Sequence, residues 1–316
     1  KKRDKSRIWR SFRKSIGVKM SGGKVKTIDP NAISQMELHH HLISAVAPRP
    51  ICFASTIDKK GNVNLSPFSF FNVFSSNPPV MIFSPARRGK DNTTKHTYEN
   101  ILEVKETVIN MVNYPIVEKM SLSSTEYEKG VNEFIKAGLK QIPSEKVRPP
   151  RVGEAPVSFE CEVDQVIELG KDGGAGNLII ARVVLIHMKE KYLDEKGYLD
   201  TKKLDLVARM GGSWYSRANQ DSLFEIPKPA LKKGIGIDAL PKEIRDSKVL
   251  SANNLGRLGN VDKLPSKDKI NEIITKYDLS TESSLLKCHQ KAKEILKNGP
   301  AEDALSVLLY AVKTHK

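Results

Sequence analysis

The sequence predicts a mainly β protein: an antiparallel barrel with a few peripheral helices, followed by a smaller helical extension. Three observations favour this fold class. Short apolar runs rich in β-branched residues recur between residues 51 and 188, separated by turn signals. The two longest runs, residues 157–169 and 177–188, are joined by a glycine-rich loop. Beyond residue 228, the apolar residues recur with a helical period instead.

The barrel prediction rests on a regular succession of strand-like runs. The first run, ICFASTI, ends before the turn signal Lys59-Lys60-Gly61-Asn62, and the second, VMIFS, follows the strand breaker Asn77-Pro78-Pro79. Two helical segments, near residues 115–122 and 130–138, interrupt the series. Five runs are predicted strands: residues 51–57, 80–84, 107–112, 157–169 and 177–188.

Helices are predicted at the C-terminal end. The first covers residues 266–277 and has Ser266 as a suitable N-cap. The second covers 283–299, stops at Gly299, and is followed by a helix that opens with Pro300 and two acidic residues. The apolar side of the second helix is predicted to comprise Leu285, Leu286, Cys288, Ala292, Ile295 and Leu296. Three regions result: a basic tail (1–26), a barrel domain (27–228) and a loop-plus-helix extension (229–316).

Composition limits the class of protein. The chain has 316 residues, 39% of them hydrophobic, which is enough for a buried core and a second small unit. It has no apolar run of about 18 residues, so we expect no membrane span. The three cysteines are far apart and lack C-x-x-C spacing, which predicts neither a disulfide framework nor a zinc site. They fit a reducing compartment, and we expect the cytoplasm.

The net charge of +15 is concentrated in the tail. Residues 1–26 contain eleven Lys or Arg residues and one acid, Asp4, which gives +10 and leaves +5 elsewhere. Three interpretations fit this tail: a solvated disordered arm, a targeting segment for mitochondria, or a contact with nucleic acid or an acidic surface. The remaining chain is only mildly basic, so no nucleic-acid partner is expected for it.

Common catalytic patterns are not found in the sequence. The glycine cluster at residues 170–177 precedes a strand and not a helix, so it predicts a mobile hairpin loop and not a dinucleotide-binding turn. The triplet His39-His40-His41 has no carboxylate or cysteine cluster beside it, and no metal site is expected. There is no G-x-S-x-G sequence, and Cys52 lies in a predicted core strand.

Four stretches do combine residue types that would suit a phosphorylated ring-bearing ligand. They are PRPICFAST (48–56), NLSPFSFFN (64–72), residues 82–101 and ARMGGSWY (208–215). We expect hydroxyls at strand ends, flat phenylalanine rings beside irregular backbone at Pro67, cations after a strand, and a Gly-Gly pair that permits close backbone approach. The hydroxyls are those of Ser55, Thr56, Ser66, Ser69, Ser84 and Thr97; the rings are Phe68, Phe70 and Phe71; the cations are Arg87, Arg88, Lys90 and Lys95. An ordinary barrel with serine-rich turns is the alternative interpretation.

At these positions the chain resembles the flavin reductase-like, FMN-binding split-barrel flavoproteins, including those of the flavoredoxin type. The similar segments occur in family order: PRPI with the later Ser55-Thr56, NLSPFSFF (64–71), NPP (77–79), KHTYENI (95–101), FIKAGL (134–139), EC (160–161) and RMGGSWY (209–215). One position departs from the family pattern, because His96 stands where Asp is usual. The stretch at 234–265 resembles an extension present in some members.

The resemblance implies a six-stranded antiparallel split barrel of the Greek-key type that forms a homodimer with FMN at the interface. It implies that Lys95, Thr97 and Ser84 take the phosphate; which cation meets the phosphate stays open between Lys95, Arg87, Arg88 and Lys90. Ser66 is a candidate binding residue from its residue type and position alone. The residues implied to line the flavin are Ser55, Thr56, Ser69, Phe70, Phe71 and Asn72.

The resemblance also implies a function. We expect an FMN-dependent oxidoreductase in which NADH or NADPH delivers hydride to flavin N5 and electrons pass to a small-molecule or protein acceptor. The cofactor carries this chemistry, so no catalytic side chain is assigned. One alternative is a flavoredoxin-like electron-transfer protein reduced by a partner protein. Another is a non-enzymatic binding protein that uses the basic arm.

Overall fold

The computed structural model describes residues 23–226, 233–282 and 284–314. Most of the predicted basic tail, residues 1–22, lies outside this range, so its three interpretations stay predictions. The chain divides into two compact units, of which one ends at Phe224 and the other begins at Glu225. Each unit has its own hydrophobic core and is described separately.

The first unit is built on a seven-stranded antiparallel sheet with the order β3-β2-β6-β9-β10-β5-β4. Its strands are β2 (Cys52–Ile57), β3 (Val63–Phe68), β4 (Phe71–Ser76), β5 (Pro79–Phe83), β6 (Glu106–Met111), β9 (Val157–Glu168) and β10 (Asn177–Met188). A three-stranded sheet joins β1 (Arg49–Pro50), β11 (Val207–Arg209) and β12 (Tyr215–Arg217), and a two-stranded sheet joins β7 (Gln141–Ile142) and β8 (Arg151–Val152). The mainly β fold class is confirmed, and all five predicted strands are present.

The main sheet has one strand more than the six expected, because the stretch predicted to be irregular is largely strand. Residues 63–68 form β3 with Pro67 opposite Phe53, and a second strand, β4, begins at Phe71. Proline lacks the N–H that a central strand needs, but an edge strand can accept it. Among the described residues, β3 lies at one edge of the sheet and β4 at the other. The expectation of irregular backbone at Pro67 was therefore wrong.

Helices cover parts of this unit. They are α1 (Gln35–Ala45), α2 (His96–Glu103), α3 (Val117–Leu122), α4 (Glu133–Lys136) and α5 (Thr201–Leu204). Short 3-10 turns occur at Pro30–Ala32, Tyr114–Ile116, Glu190–Tyr192 and Gln220–Ser222. The helical segments predicted near 115–122 and 130–138 correspond to α3 and α4. The sequence did not predict α1 and α2. Helix α1 buries none of its residues, so it shows no apolar face that sequence reasoning could detect. It begins after Ser34, which is its N-cap.

The loop between β9 and β10 joins an antiparallel hairpin, as predicted. It is hydrogen-bonded to the segment after β5: the Arg87 amide donates to the Ala175 carbonyl at 2.8 Å, and the Gly174 amide donates to the Arg87 carbonyl at 3.0 Å. The Asn177 side chain adds a bond to the Pro85 carbonyl at 2.9 Å. This loop therefore fixes the backbone from which the cations at 87–90 extend.

The second unit is helical, as predicted. Its helices are α6 (Lys242–Arg245), α7 (Ala252–Gly259), α8 (Lys267–Lys276), α9 (Leu285–Asn298) and α10 (Ala301–Thr314). The predicted N-cap is confirmed, because the Ser266 hydroxyl accepts from the Lys269 amide at 3.2 Å. Residues from all five helices form one core, centred on fully buried side chains such as Ile244, Leu258 and Leu305. The predicted apolar side of α9 was wrong at one position, because Leu286 is 58% exposed.

Candidate functional site

A buried hydrogen-bond network joins strands β2 and β3 to helix α2. The Asn64 amide nitrogen donates to Thr97 Oγ1 at 2.9 Å. Thr56 Oγ1 accepts from the side-chain amides of Asn100, at 3.2 Å, and Asn64, at 3.5 Å. Thr56 and Asn64 are paired across the two strands. The sequence placed Thr97 at a strand end, but it lies in the first turn of α2, where this network holds it.

A small cleft lies beside the network. Its walls include Ser66 from β3, Lys95 and Thr97 at the start of α2, Arg88 from the preceding loop, and Glu126 from the loop between α3 and α4. Lys95 is the N-cap residue of α2 and makes no side-chain capping bond. The positive end of this helix is therefore able to face an anion in the cleft.

Three cations converge on the carboxylate of Glu126. Arg88 Nε lies 2.9 Å and Lys95 Nζ 3.6 Å from Glu126 Oε1, and Lys90 Nζ lies 2.5 Å from Oε2. Hydrogen bonds from Lys90 and Arg88 lower the pKa of Glu126 to about 2. Burial lowers the pKa of Lys95, with a further contribution from the neighbouring charge of Arg88. The fourth cation, Arg87, binds Asn92 instead, through Nε to Oδ1 and through a terminal nitrogen to the carbonyl oxygen, both at 2.7 Å.

The phenylalanine-rich stretch, residues 68–71, comes shortly after the cleft residue Ser66 in the sequence. Phe70 lies between β3 and β4, is 40% exposed, and has the His39 ring edge-on with a centroid distance of 6.2 Å. Phe71 instead packs against the core, opposite Phe83. Asn72 is exposed, and its Oδ1 accepts from the Val73 amide at 2.8 Å. Of Phe70 and Phe71, only Phe70 therefore exposes much of its ring to a ligand.

The remaining predicted serines differ in their surroundings. Ser55 is fully buried, and its hydroxyl donates to the Pro150 carbonyl at 2.5 Å. Ser69 Oγ accepts from Arg49 Nε at 3.4 Å. Ser84 Oγ is buried and has no hydrogen-bond partner within the part of the chain that the structure describes. An added Cβ at Gly176 would lie 2.6 Å from this oxygen, so the glycine leaves the space beside it open.

The structure therefore brings together some predicted site residues and separates others. Ser66, Lys95 and Thr97 line one cleft, and Thr56 is one hydrogen bond away from it. The other six lie outside the walls of that cleft: Ser55, Ser69, Phe70, Phe71, Asn72 and Ser84. Each belongs to β2, β3, β4, β5 or the residues that directly follow them.

Arg49 was not predicted as a site residue, although it lies in the PRPI stretch. Its guanidinium donates to the carbonyls of Ile43 at 2.5 Å and Val46 at 2.8 Å, at the end of α1, and to that of Met210 at 3.1 Å. Burial lowers the pKa of Arg49, and the nearby charge of Arg209 adds to the effect. Arg49 therefore links α1 and the 209–215 stretch to Ser69. The Arg-Pro pair that forms β1, just before β2, was the available signal.

This chain, with its mainly β fold, is similar to known proteins. The family model of the flavin reductase like domain matches residues 44–205. Because that match covers half of the chain, the protein belongs to the flavin reductase-like split-barrel family, and the resemblance seen in the sequence is confirmed. One similar solved structure, from Shewanella frigidimarina, is named for its split barrel domain.

Individual relatives support the family assignment. A protein of Aquifex aeolicus is 40% identical over 181 residues, which span 57% of this chain and 90% of the relative. Nitrilotriacetate monooxygenase component B from Bacillus cereus is 29% identical, with a TM-score of 0.60, and covers 65% of this chain and 100% of its own. The 2-nitrobenzoate 2-nitroreductase NbaA of Pseudomonas fluorescens is 25% identical, with a TM-score of 0.57, and covers 64% and 96%. Among the described helices, none has the length and apolarity to cross a membrane.

Proposed function

We propose that this protein is an FMN-dependent oxidoreductase of the flavin reductase type. The observation that carries the proposal is the cleft at the start of α2, where Arg88 and Lys95 meet the hydroxyls of Ser66 and Thr97. Membership of the flavin reductase-like family supports a flavin-related role. So does similarity to a monooxygenase component and a nitroreductase, both named for redox reactions. A cytoplasmic location is part of the proposal.

The cleft residues fit a phosphate group. Thr97 Oγ1 already accepts from Asn64, so its own proton can be donated to a phosphate oxygen. Lys95 is only partly exposed, and its lowered pKa reflects a cation that burial has deprived of water. A phosphate dianion beside Lys95 would form a charge-assisted hydrogen bond and would also favour the positive end of α2. We therefore assign the phosphate contacts to Lys95, Thr97 and Ser66, with Arg88 as the arginine that lines the same cleft.

The residues of β2 to β5 are proposed to hold the ring system. The exposed ring of Phe70 offers an apolar surface, and Ser69, Phe71 and Asn72 surround it in sequence. Ser84 Oγ is a buried polar atom with no partner in the described residues, which suits a ligand that carries hydrogen-bonding groups. Ser55 and Thr56 stabilise this wall through their internal hydrogen bonds.

When bound, FMN would supply the redox chemistry, namely hydride transfer from NADH or NADPH to N5 and electron transfer to an acceptor. The protein contributes binding and orientation, so no acid or base among its side chains is required for that step. This accounts for a sequence that has candidate binding residues but no recognisable catalytic pair.

We further propose that two copies associate and that the cofactor lies where they meet. Val73 and Phe74, on the edge strand β4, are 61% and 64% exposed, and Phe70, just before this strand, is 40% exposed. Exposed apolar groups next to one another are more common at interaction surfaces than on isolated monomers. A second copy would cover them and enclose the cofactor.

The proposal is tested by flavin titration and by the oxidation of NADH and NADPH. We expect the purified protein to bind FMN more tightly than riboflavin, because riboflavin lacks the phosphate. Lys95→Met should weaken FMN binding by about tenfold and leave riboflavin binding unchanged, since one charge-assisted hydrogen bond is lost. Lys129→Met is the matched control, because Lys129 is an exposed lysine that pairs with Glu99 and lies outside the walls of the cleft. Failure to bind either flavin would contradict the proposal, whereas FMN binding without nicotinamide oxidation would favour reduction by a protein partner.

A further inference from the structure

We propose that Glu126 competes with the cofactor phosphate: its carboxylate occupies the cation cluster before FMN binds, moves away when FMN binds, and thereby sets FMN affinity. This inference rests on the proposed function, because it requires the phosphate to enter this cleft. The cluster is defined as Arg88, Lys90 and Lys95.

The position of Glu126 is that of an anion bound by the cluster. Its two carboxylate oxygens lie 2.9 Å from Arg88 Nε and 2.5 Å from Lys90 Nζ. The same carboxylate forms one wall of the cleft that contains Ser66 and Thr97. Arg88 is also a wall residue of this cleft, so the carboxylate uses a donor that a phosphate in the cleft would also use.

The charges favour exchange over shared occupancy. Three cations and one carboxylate leave the cluster with a net charge of +2, and the departure of the carboxylate raises it to +3. A phosphate monoester carries a charge of about −1.5 to −2 at neutral pH, so it suits the vacated cluster better than the occupied one. If Glu126 stayed, two anions would lie within a few ångströms of each other, which is unfavourable in a partly buried site.

Glu126 is also placed where it can move. It belongs to the loop between α3 and α4, outside regular secondary structure, and its side chain is 42% exposed. Lys95, at 31% exposure, is the more enclosed of the two lysines, and it lies 3.6 Å from Glu126, beyond ordinary hydrogen-bond distance. The inner cation is therefore the one that Glu126 binds least closely, and it keeps its donors for a phosphate.

The effect on FMN affinity of removing the Glu126 carboxylate separates competition from a purely positioning role. If the carboxylate held Arg88 and Lys95 in place for the phosphate, its removal would weaken FMN binding. If it competes, its removal strengthens FMN binding and leaves riboflavin unaffected, because riboflavin has no phosphate to exchange with it. The sign of the change in FMN affinity separates the two roles.

The experiment compares Glu126→Gln with Glu128→Gln in the full-length apoprotein, with FMN and riboflavin as the probes. Glu128 lies in the same loop and is exposed, and it forms no ion pair with any residue in the described ranges. We expect Glu126→Gln to bind FMN about tenfold more tightly and riboflavin equally well. We also expect its FMN affinity to fall more steeply with added KCl, because more cationic charge is left for the phosphate to neutralise. Glu128→Gln should change neither quantity by more than about twofold.

The outcomes are distinguishable from those of the proposed function. Weaker or unchanged FMN binding by Glu126→Gln, with riboflavin binding intact, would overturn the competition and leave the FMN site in place. If the wild-type protein bound neither flavin, the proposed function would fail first. Glu126→Ala serves as a second variant, and it should tighten FMN binding in the same direction.

Discussion

Glu133 is a buried carboxylic acid beside the candidate site. It is 5% exposed, and its Oε2 accepts from the backbone N–H of Leu65 at 2.8 Å, which ties α4 to β3. Desolvation raises the pKa of Glu133 above its ordinary value. A raised pKa means that the folded protein holds this proton more tightly than the unfolded chain does. The corresponding stability is fully present below the unfolded pKa and is lost as the pH rises through the folded pKa.

Glu133→Gln should therefore change the pH dependence of stability. Glutamine keeps an oxygen that can accept from Leu65 but has no charge to desolvate. We expect the wild type to lose unfolding free energy relative to the variant as the pH rises above the ordinary glutamate pKa of about 4.3. Urea unfolding at several pH values measures this difference. Glu128 is an exposed acid in the preceding loop, so Glu128→Gln should show no pH-dependent difference from the wild type. A difference for Glu133→Gln that does not vary with pH would contradict the prediction.

At the residue scale, sequence reasoning found the cleft residues that belong to short motifs and missed those that tertiary packing supplies. Lys95, Thr97 and Ser66 could be proposed because they lie within segments that resemble a family. Glu126 could not, since only folding brings its loop to the cations after β5. Ser84 was proposed as a phosphate contact, but only the structure reveals that its hydroxyl is buried and has no partner in the described residues.

At the element scale, strands were easier to predict than helices in the first unit. Apolar β-branched runs gave β2, β5, β6, β9 and β10 within one or two residues. The edge strand β3 was missed because Pro67 suggested irregular backbone, and α2 was missed because its buried residues include Thr97 and Asn100, which are polar. Helix α1 is held instead by contacts at its C-terminal end, where Arg49 binds the carbonyls of Ile43 and Val46. A second contact there involves the Gly-Gly pair.

The Gly-Gly pair at 211–212 was predicted to allow close backbone approach, and the structure confirms this for Gly211. A Cβ added there would lie 2.5 Å from Ser44 Oγ and 3.1 Å from Ser44 Cα, in the last turn of α1. Gly212 instead has a φ of +57° and nothing within 4 Å of an added Cβ. The first glycine is thus required for space and the second for its left-handed backbone.

We expect Gly211→Ala to lower the free energy of unfolding by about 1–3 kcal/mol, because α1 or the 209–215 stretch must shift. Gly212→Asn should cost less than about 1 kcal/mol, since Asn tolerates the left-handed region. Urea unfolding followed by circular dichroism compares the two variants. Equal costs would show that the contact with Ser44 relaxes without penalty, contrary to this prediction.

For the whole molecule, the change from strand to helix periods near residue 228 indicated two parts of different architecture. The structure divides the chain after Phe224, and the helical core draws all its members from residues 235–312. Local periodicity was sufficient to predict that second unit, because its helices have apolar sides and clear caps. It could not predict the pairing order of the main sheet, which depends on contacts between segments far apart in the chain.

The separate cores lead to a prediction for the intact chain. Leu305 is fully buried in the helical core, so Leu305→Ala should lower the stability of the second unit by about 2–5 kcal/mol. FMN affinity should not change at temperatures where both units are folded, because the residues proposed to bind FMN all precede Phe224. The reciprocal variant Ile109→Ala removes a fully buried side chain from β6 and should lower the temperature at which FMN is released. Thermal unfolding followed by circular dichroism, with flavin fluorescence recorded in parallel, measures both effects. A parallel loss of FMN affinity in Leu305→Ala would show that the helical unit contributes to the flavin site.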